Sequence, residues 1–187
     1  MWRAVVEPGW DLDAWRVVAR HALRAGLSPD AIDWAVGDGG LLGGASVLEA
    51  PAVRESPSVP ATFLQLARDV LAHRDPRRHA LLYALLWRIA EGEPRLLGHE
   101  TDPDVRRAMQ LQKAVRRDAH KMEAFVRFRE VPGEDDAFIV WFEPEHYIVE
   151  RVAPFFARRF AGMRWAILTP YRSARWDGQV LAFGPGG

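Results

Sequence analysis

Hydrophobic positions along the chain change their period several times, and each change predicts a new element. "WRAVVEP" reads as a short strand, and "DLDAWRVVARHALRAGL" then puts Leu12, Trp15, Val18, Ala19, Ala22 and Leu23 on one helical stripe that Gly26 stops. In "SPDAIDWAV", Ile32, Trp34 and Val36 alternate with polar or small neighbours, the pattern of a second strand. Residues 1–36 are therefore expected to form a small β-α-β unit.

From 37 to 59 the chain is rich in Gly, Pro and Ser without sustained periodicity, which predicts a linker or long loop. Its glycines lack both the Lys-Ser/Thr ending of a phosphate loop and the spacing of a dinucleotide fingerprint. Residues 60–187 read as the main domain. "ATFLQLARDVLAH" carries Phe63, Leu64, Ala67, Val70 and Leu71 at helical spacing, and "PRRHALLYALLWRIAEG" is apolar nearly all round, as a buried central helix would be. A third helix is expected to start at Asp102, as N-cap before Pro103, and to run to about Met122.

After Met122 the period falls to two. "AFVRFREV" and "AFIVWFEP", separated by "PGEDD", predict a hairpin. "EHYIVERVAPFFARRFAG" is helical with Pro154 as a kink or restart, and "MRWAILTP" and "GQVLAFGP" are strands joined by "YRSARWDG". The expected fold class is α+β: a helical segment packed on a mainly antiparallel sheet, with a β-β-α-β-β C-terminal layer and the small N-terminal β-α-β unit.

Composition narrows the chemistry. A hydrophobic share of 49% and a charged share of 27% describe a globular protein, and a formal charge of zero means that any site for a polyanion must be local. The absence of cysteine removes disulfides, thiolate metal sites and cysteine nucleophiles. No signal-peptide pattern or membrane-length apolar run is present, so the expected location is cytoplasmic, with no membrane partner. No cofactor or metal motif stands out.

"VRRDAHKMEAFVRFRE" holds the densest charge. On a helix Lys113, Arg117 and Lys121 share one face with Arg116 and His120 beside it, while Arg127 and Arg129 repeat on one side of the following strand. Such a ridge suits phosphate, which arginine binds through two parallel hydrogen bonds. The alternative is a solvated face neutralised by nearby acids: residues 131–150 hold six acids and no Lys or Arg. "WFEPEHYIVE" contains Glu143, Glu145, His146 and Glu150. Glu143 and His146 have the spacing of a helical di-iron ligand pair, but no second copy exists, and Pro144 sets Glu143 before the helix. "TPYRSARWDG" offers Thr169, Ser173, Trp176 and Asp177, either as a turn or as a loop touching an extruded base.

"LLYALLWRIAEGEPRLL", "DPDVRRAMQLQKAVRRDAHKMEAFVRFREV", "WFEPEHYIVERVAPFFARRFAGMRWAILTP" and "WDGQVLAFGPG" together resemble a bacterial family labelled a probable DNA metabolism or putative DNA repair protein, a domain of unknown function. The resemblance covers residues 60 to 185. It implies a DNA-repair context, because members of that family occur alone, beside a radical-SAM protein, or fused ahead of an X-type uracil-DNA glycosylase domain. It implies no catalytic residues, and the chain is expected to be a natural short form or the N-terminal module of a longer product. Three functions follow as expectations. The first is a DNA-binding accessory module using Arg116, Arg117, His120, Lys121, Arg127 and Arg129 on phosphate, with Trp176 or Trp141 against a base. The second is a scaffold for a repair enzyme. The third is an independent enzyme drawing on His120, Glu143, His146 and Asp177.

Overall fold

The computed structural model describes residues 1–35 and 43–187; Val36 and the first glycines of the expected linker lie outside the described residues. The chain divides into two compact units, residues 1–113 and 114–187.

In the first unit, β1 (Trp2–Val5) and β2 (Ile32–Ala35) pair in parallel around α1 (Leu12–Arg24). Asp11 starts α1 by accepting the Ala14 N–H at 2.7 Å, and Gly26, with φ at +66°, follows its end. Two strands and a helix cannot enclose a core of their own. They share one with α2 (Ala61–Leu71) and α3 (Arg78–Ala90): Trp15 stacks on Trp34 at 6.2 Å and meets Phe63 at 6.1 Å, and Trp34 meets Tyr83 at 5.4 Å. The boundaries expected from sequence at 36 and 60 therefore do not separate cores, since one hydrophobic cluster runs from Ala4 to Leu111.

The described part of the expected linker, though mostly exposed, is anchored at several points. Val47 is buried in the same cluster, Ser46 and Glu49 form a capping box, and the Arg54 side chain donates to the Leu23 carbonyl at 2.7 Å. A composition rich in Gly, Pro and Ser disfavours regular helix and strand here without preventing side chains from anchoring the loop. The buried helix α3 opens with two buried polar side chains. Arg78 donates to the carbonyls of Leu71, Asp75 and Gly9, and His79 Nε2 donates to Gly9 O at 2.7 Å. Asp102 caps α4 (Pro103–Phe125) by accepting the N–H groups of Asp104 and Val105.

In the second unit, the last part of α4 precedes β3 (Arg129–Glu130), β4 (Ala137–Trp141), α5 (Val149–Arg159), β5 (Arg164–Leu168), β6 (Arg172–Trp176) and β7 (Leu181–Pro185). The five strands lie in chain order in one sheet. Only β4 and β5, joined by the α5 crossover, are parallel. The fold is α+β with a mainly antiparallel sheet. Two details differ from the expected layer. Helix α4 continues to Phe125, so β3 keeps only two residues of the expected hairpin strand. The connection "YRSARWDG" contains β6, which makes the layer β-β-α-β-β-β.

Register fixes the two faces of this sheet. Phe138 pairs with Trp165, Val140 with Ile167, and these with Trp176 and Ala174, so these residues share one face. That face packs on α5: Phe128, Phe156 and Trp165 form an aromatic cluster with centroids 5.5–6.3 Å apart. Its rim is tied to the same helix by the Arg172–Glu150 ion pair at 2.7 Å.

Candidate nucleic-acid interface

The charged end of α4 turns its cations outward. Arg116, Arg117, His120 and Lys121 are exposed, while Val115, Asp118, Ala119 and Met122 are buried. Part of the expected neutralisation is realised. Lys121 Nζ pairs with Glu145 at 2.9 Å, and this hydrogen bond, with the charges of Lys121, His146 and Arg117, holds the Glu145 carboxyl below its ordinary range. His120 stands 3.9 Å from Glu123, on the next turn of its own helix. The Arg127 guanidinium donates to the Ala124 and Val126 carbonyls at 2.7 and 2.9 Å, closing the helix end whose carbonyls have no partner in the helix.

Arg129 belongs elsewhere. It pairs with Ile139, Ile139 with Ala166, Ala166 with Arg175 and Arg175 with Ala182, one row across all five strands on the sheet face opposite α5. By strand alternation Trp141, Leu168 and Ser173 lie on that face two residues along, and Arg164 lies two residues the other way. Arg129, Arg164 and Arg175 are exposed, Ile139 is 38% exposed and Trp141 48%. The Trp141 indole N–H donates to Glu143 Oε1 at 2.9 Å, which fixes the ring plane.

The same register moves Trp176 away. It pairs with Trp165, is half-buried on the α5 face, and its indole N–H donates to the Ala161 carbonyl at 3.2 Å. Its indole N–H is thus committed to backbone on the face that α5 covers, not to the face that carries Trp141. Asp177 is committed to the turn that its Asp-Gly pair predicts: one carboxylate oxygen accepts the Gln179 and Val180 N–H groups at 2.8 and 2.7 Å, which lowers its pKa. Thr169 is buried, and its hydroxyl donates to the Arg172 carbonyl across the tight turn before β6.

The groups named as catalytic candidates lie in different local settings. His120 is on the open side of α4 and Glu143 holds Trp141. His146 is buried with its backbone N–H on the Asp118 carboxylate at 2.8 Å, and Asp177 closes a turn. Among the described residues no group of three or more His, Asp or Glu side chains is placed to hold a metal ion. What the arrangement can do is present positive charge around an exposed aromatic, on a scaffold of regular elements. Arg175 escapes a reading of the sequence that takes β6 for a connection, and the period-two spacing of Arg172, Ala174 and Trp176 against Ser173 and Arg175 is the signal that could have found it. Arg164 sits in a segment read as a strand, and only the pairing of β5 with β4 puts it on the same face as Arg175.

An α+β unit whose sheet packs one face on α5 and exposes Arg129, Ile139, Trp141, Arg164 and Arg175 on the other, where Ala137 and Ser173 are buried, is thus the class that the second unit defines. Residues 76–177 match the family described as a domain of unknown function, DUF4130, and the chain belongs to that family. Neither a curated protein nor a solved structure matches the chain. Among the described residues no helix is long and apolar enough to cross a membrane.

Proposed function

We propose that this protein is a DNA-binding accessory module of DNA repair, working with a uracil-DNA glycosylase or a radical-SAM partner. The observation that carries this reading is the set of exposed cations on the second unit, Arg116, Arg117 and Lys121 on α4 with Arg129, Arg164 and Arg175 on the sheet. In a chain of zero formal charge such a local concentration supplies the short-range field that phosphate binding needs. The repair context and the two partners come from the resemblance of residues 60–185.

The test is fluorescence anisotropy of the full chain with labelled single-stranded and duplex DNA across a salt series. Binding weakens linearly on a log–log plot, with a slope of about 0.7 to 0.9 per phosphate contacted. Replacing Arg116, Arg117 and Lys121 together with Ala weakens both DNA forms and flattens that slope, with an unchanged circular dichroism spectrum. Affinity equal to wild type in the triple variant contradicts the role of α4, and absence of binding even at low salt turns the reading to a scaffold.

A further inference from the structure

We propose that the open face of the five-stranded sheet is the docking surface for single-stranded DNA, with Trp141 stacked on an unpaired base and Arg129, Arg164 and Arg175 on the flanking phosphates. The inference rests on the DNA-binding reading above and adds to it the form of DNA and the surface that takes it.

Three independent observations support this surface. The first is register, which puts these four side chains on one face, while Trp165, Ile167 and Ala174 turn to α5 on the other. The second is exposure: β4 leaves Ile139 and Trp141 substantially open to solvent at alternate positions, while Phe138 and Val140 are half-buried and Ala137, on the same face, is buried. An exposed aromatic on a sheet face that also carries arginines is the arrangement on which an unpaired base can stack. The third is charge. Arg129 and Arg175 have no ion-pair or hydrogen-bond partner for their guanidinium groups among the described residues, and Arg164 uses one nitrogen on the Asp135 carbonyl.

The geometry between them suits a strand and not a duplex. Arg129 and Arg175 sit three inter-strand steps apart in one row, roughly 14 Å, with Ile139 and Ala166 between them. Phosphates at the arginines would lay the intervening nucleotides across Ile139 towards Trp141. In a duplex the base faces are already stacked, so the indole would have nothing to receive. Glu143 and Gly187 support the ring. Glu143 accepts its N–H, and a Cβ built on Gly187 would lie 3.2 Å from the ring, so the backbone backs one edge of the indole. Glu143 is a positioning residue: its carboxylate holds the ring and does not touch the ligand.

The experiment uses the full chain and four labelled probes: a mixed-sequence DNA oligonucleotide, its duplex, the RNA of the same sequence, and an abasic DNA strand. The DNA single strand binds tightest. Trp141→Ala weakens it roughly 5- to 100-fold and leaves duplex affinity unchanged, Trp141→Phe retains most of the affinity, and the abasic strand is insensitive to either change. Arg164→Ala with Arg175→Ala lowers the single-strand salt slope by about 0.7 for each phosphate no longer neutralised. Wild-type affinity in both the Trp141 and the double arginine variants, with weakening only in the Arg116, Arg117 and Lys121 variant, overturns the sheet-face assignment and leaves the DNA-binding reading standing. No binding of any probe removes both. Tighter binding of duplex or of RNA overturns the choice of single-stranded DNA.

Discussion

His79 shows how one buried side chain sets a pH response. Burial, reinforced by the positive charge of Arg78, pushes its pKa down to about 4, against the opposing hydrogen bond to Gly9. The hydrogen bonding agrees with a neutral ring: Nε2 donates to Gly9 O, while among the described residues buried Nδ1 has no acceptor for the second proton that the charged form would carry. The folded protein therefore binds fewer protons than the unfolded chain between pH 6.5 and 4, so stability is greatest above 6.5 and falls as pH drops through that window. Urea unfolding at pH 7 and pH 5 should show wild type losing about 2 kcal/mol more than His79→Gln. Equal losses would mean that His79 accepts its proton in the folded state.

Residue type alone does not separate Trp141 from Trp176. Both sit in alternating segments within two residues of an acidic residue, and the sequence favours Trp176 as long as "YRSARWDG" is taken for a loop. Parity within the sheet decides: paired register puts Trp176 beside Trp165 over α5 and Trp141 beside Leu168 on the open side. The α4 cations are legible because helical spacing of three and four is a local property. Their partner Glu145 is not, because the loop that carries it returns to Lys121 from 24 residues away.

At the scale of elements, strong periodicity is easier to read than turn chemistry. The stripe of α1, the Asp102 cap and the Asp177-Gly178 turn all form as the sequence predicts. Strand β6 is hidden by its two arginines, and by Thr169, whose hydroxyl and backbone close a turn too tight to announce itself by glycine. The edge strand β7 depends on a close approach after its last residue: a Cβ on Gly186 would stand 2.3 Å from the Pro170 carbonyl oxygen. Gly186→Ala should cost roughly 1–3 kcal/mol by urea denaturation, as overpacking does, whereas Gly162→Ala, with open space around it, should cost far less. Equal stability of the two variants would show that the segment following β7 shifts freely from the turn.

For the molecule as a whole, zero net charge and composition give no hint that register puts Arg129, Arg164 and Arg175 exposed on one sheet face. Fold class is legible because it follows from the order of periodic segments. The site is only partly legible because it depends on which strands are neighbours, a non-local fact. The most direct measurement is an NMR titration of the uniformly ¹⁵N-labelled full chain with a short DNA single strand, following backbone amides and indole N–H resonances. Shifts concentrated on the Trp141 indole and on the amides of Arg129, Ile139, Ala166 and Arg175 are the expected result. Shifts confined to residues 1–113, or none at a DNA excess in low salt, would contradict single-stranded DNA binding on this face.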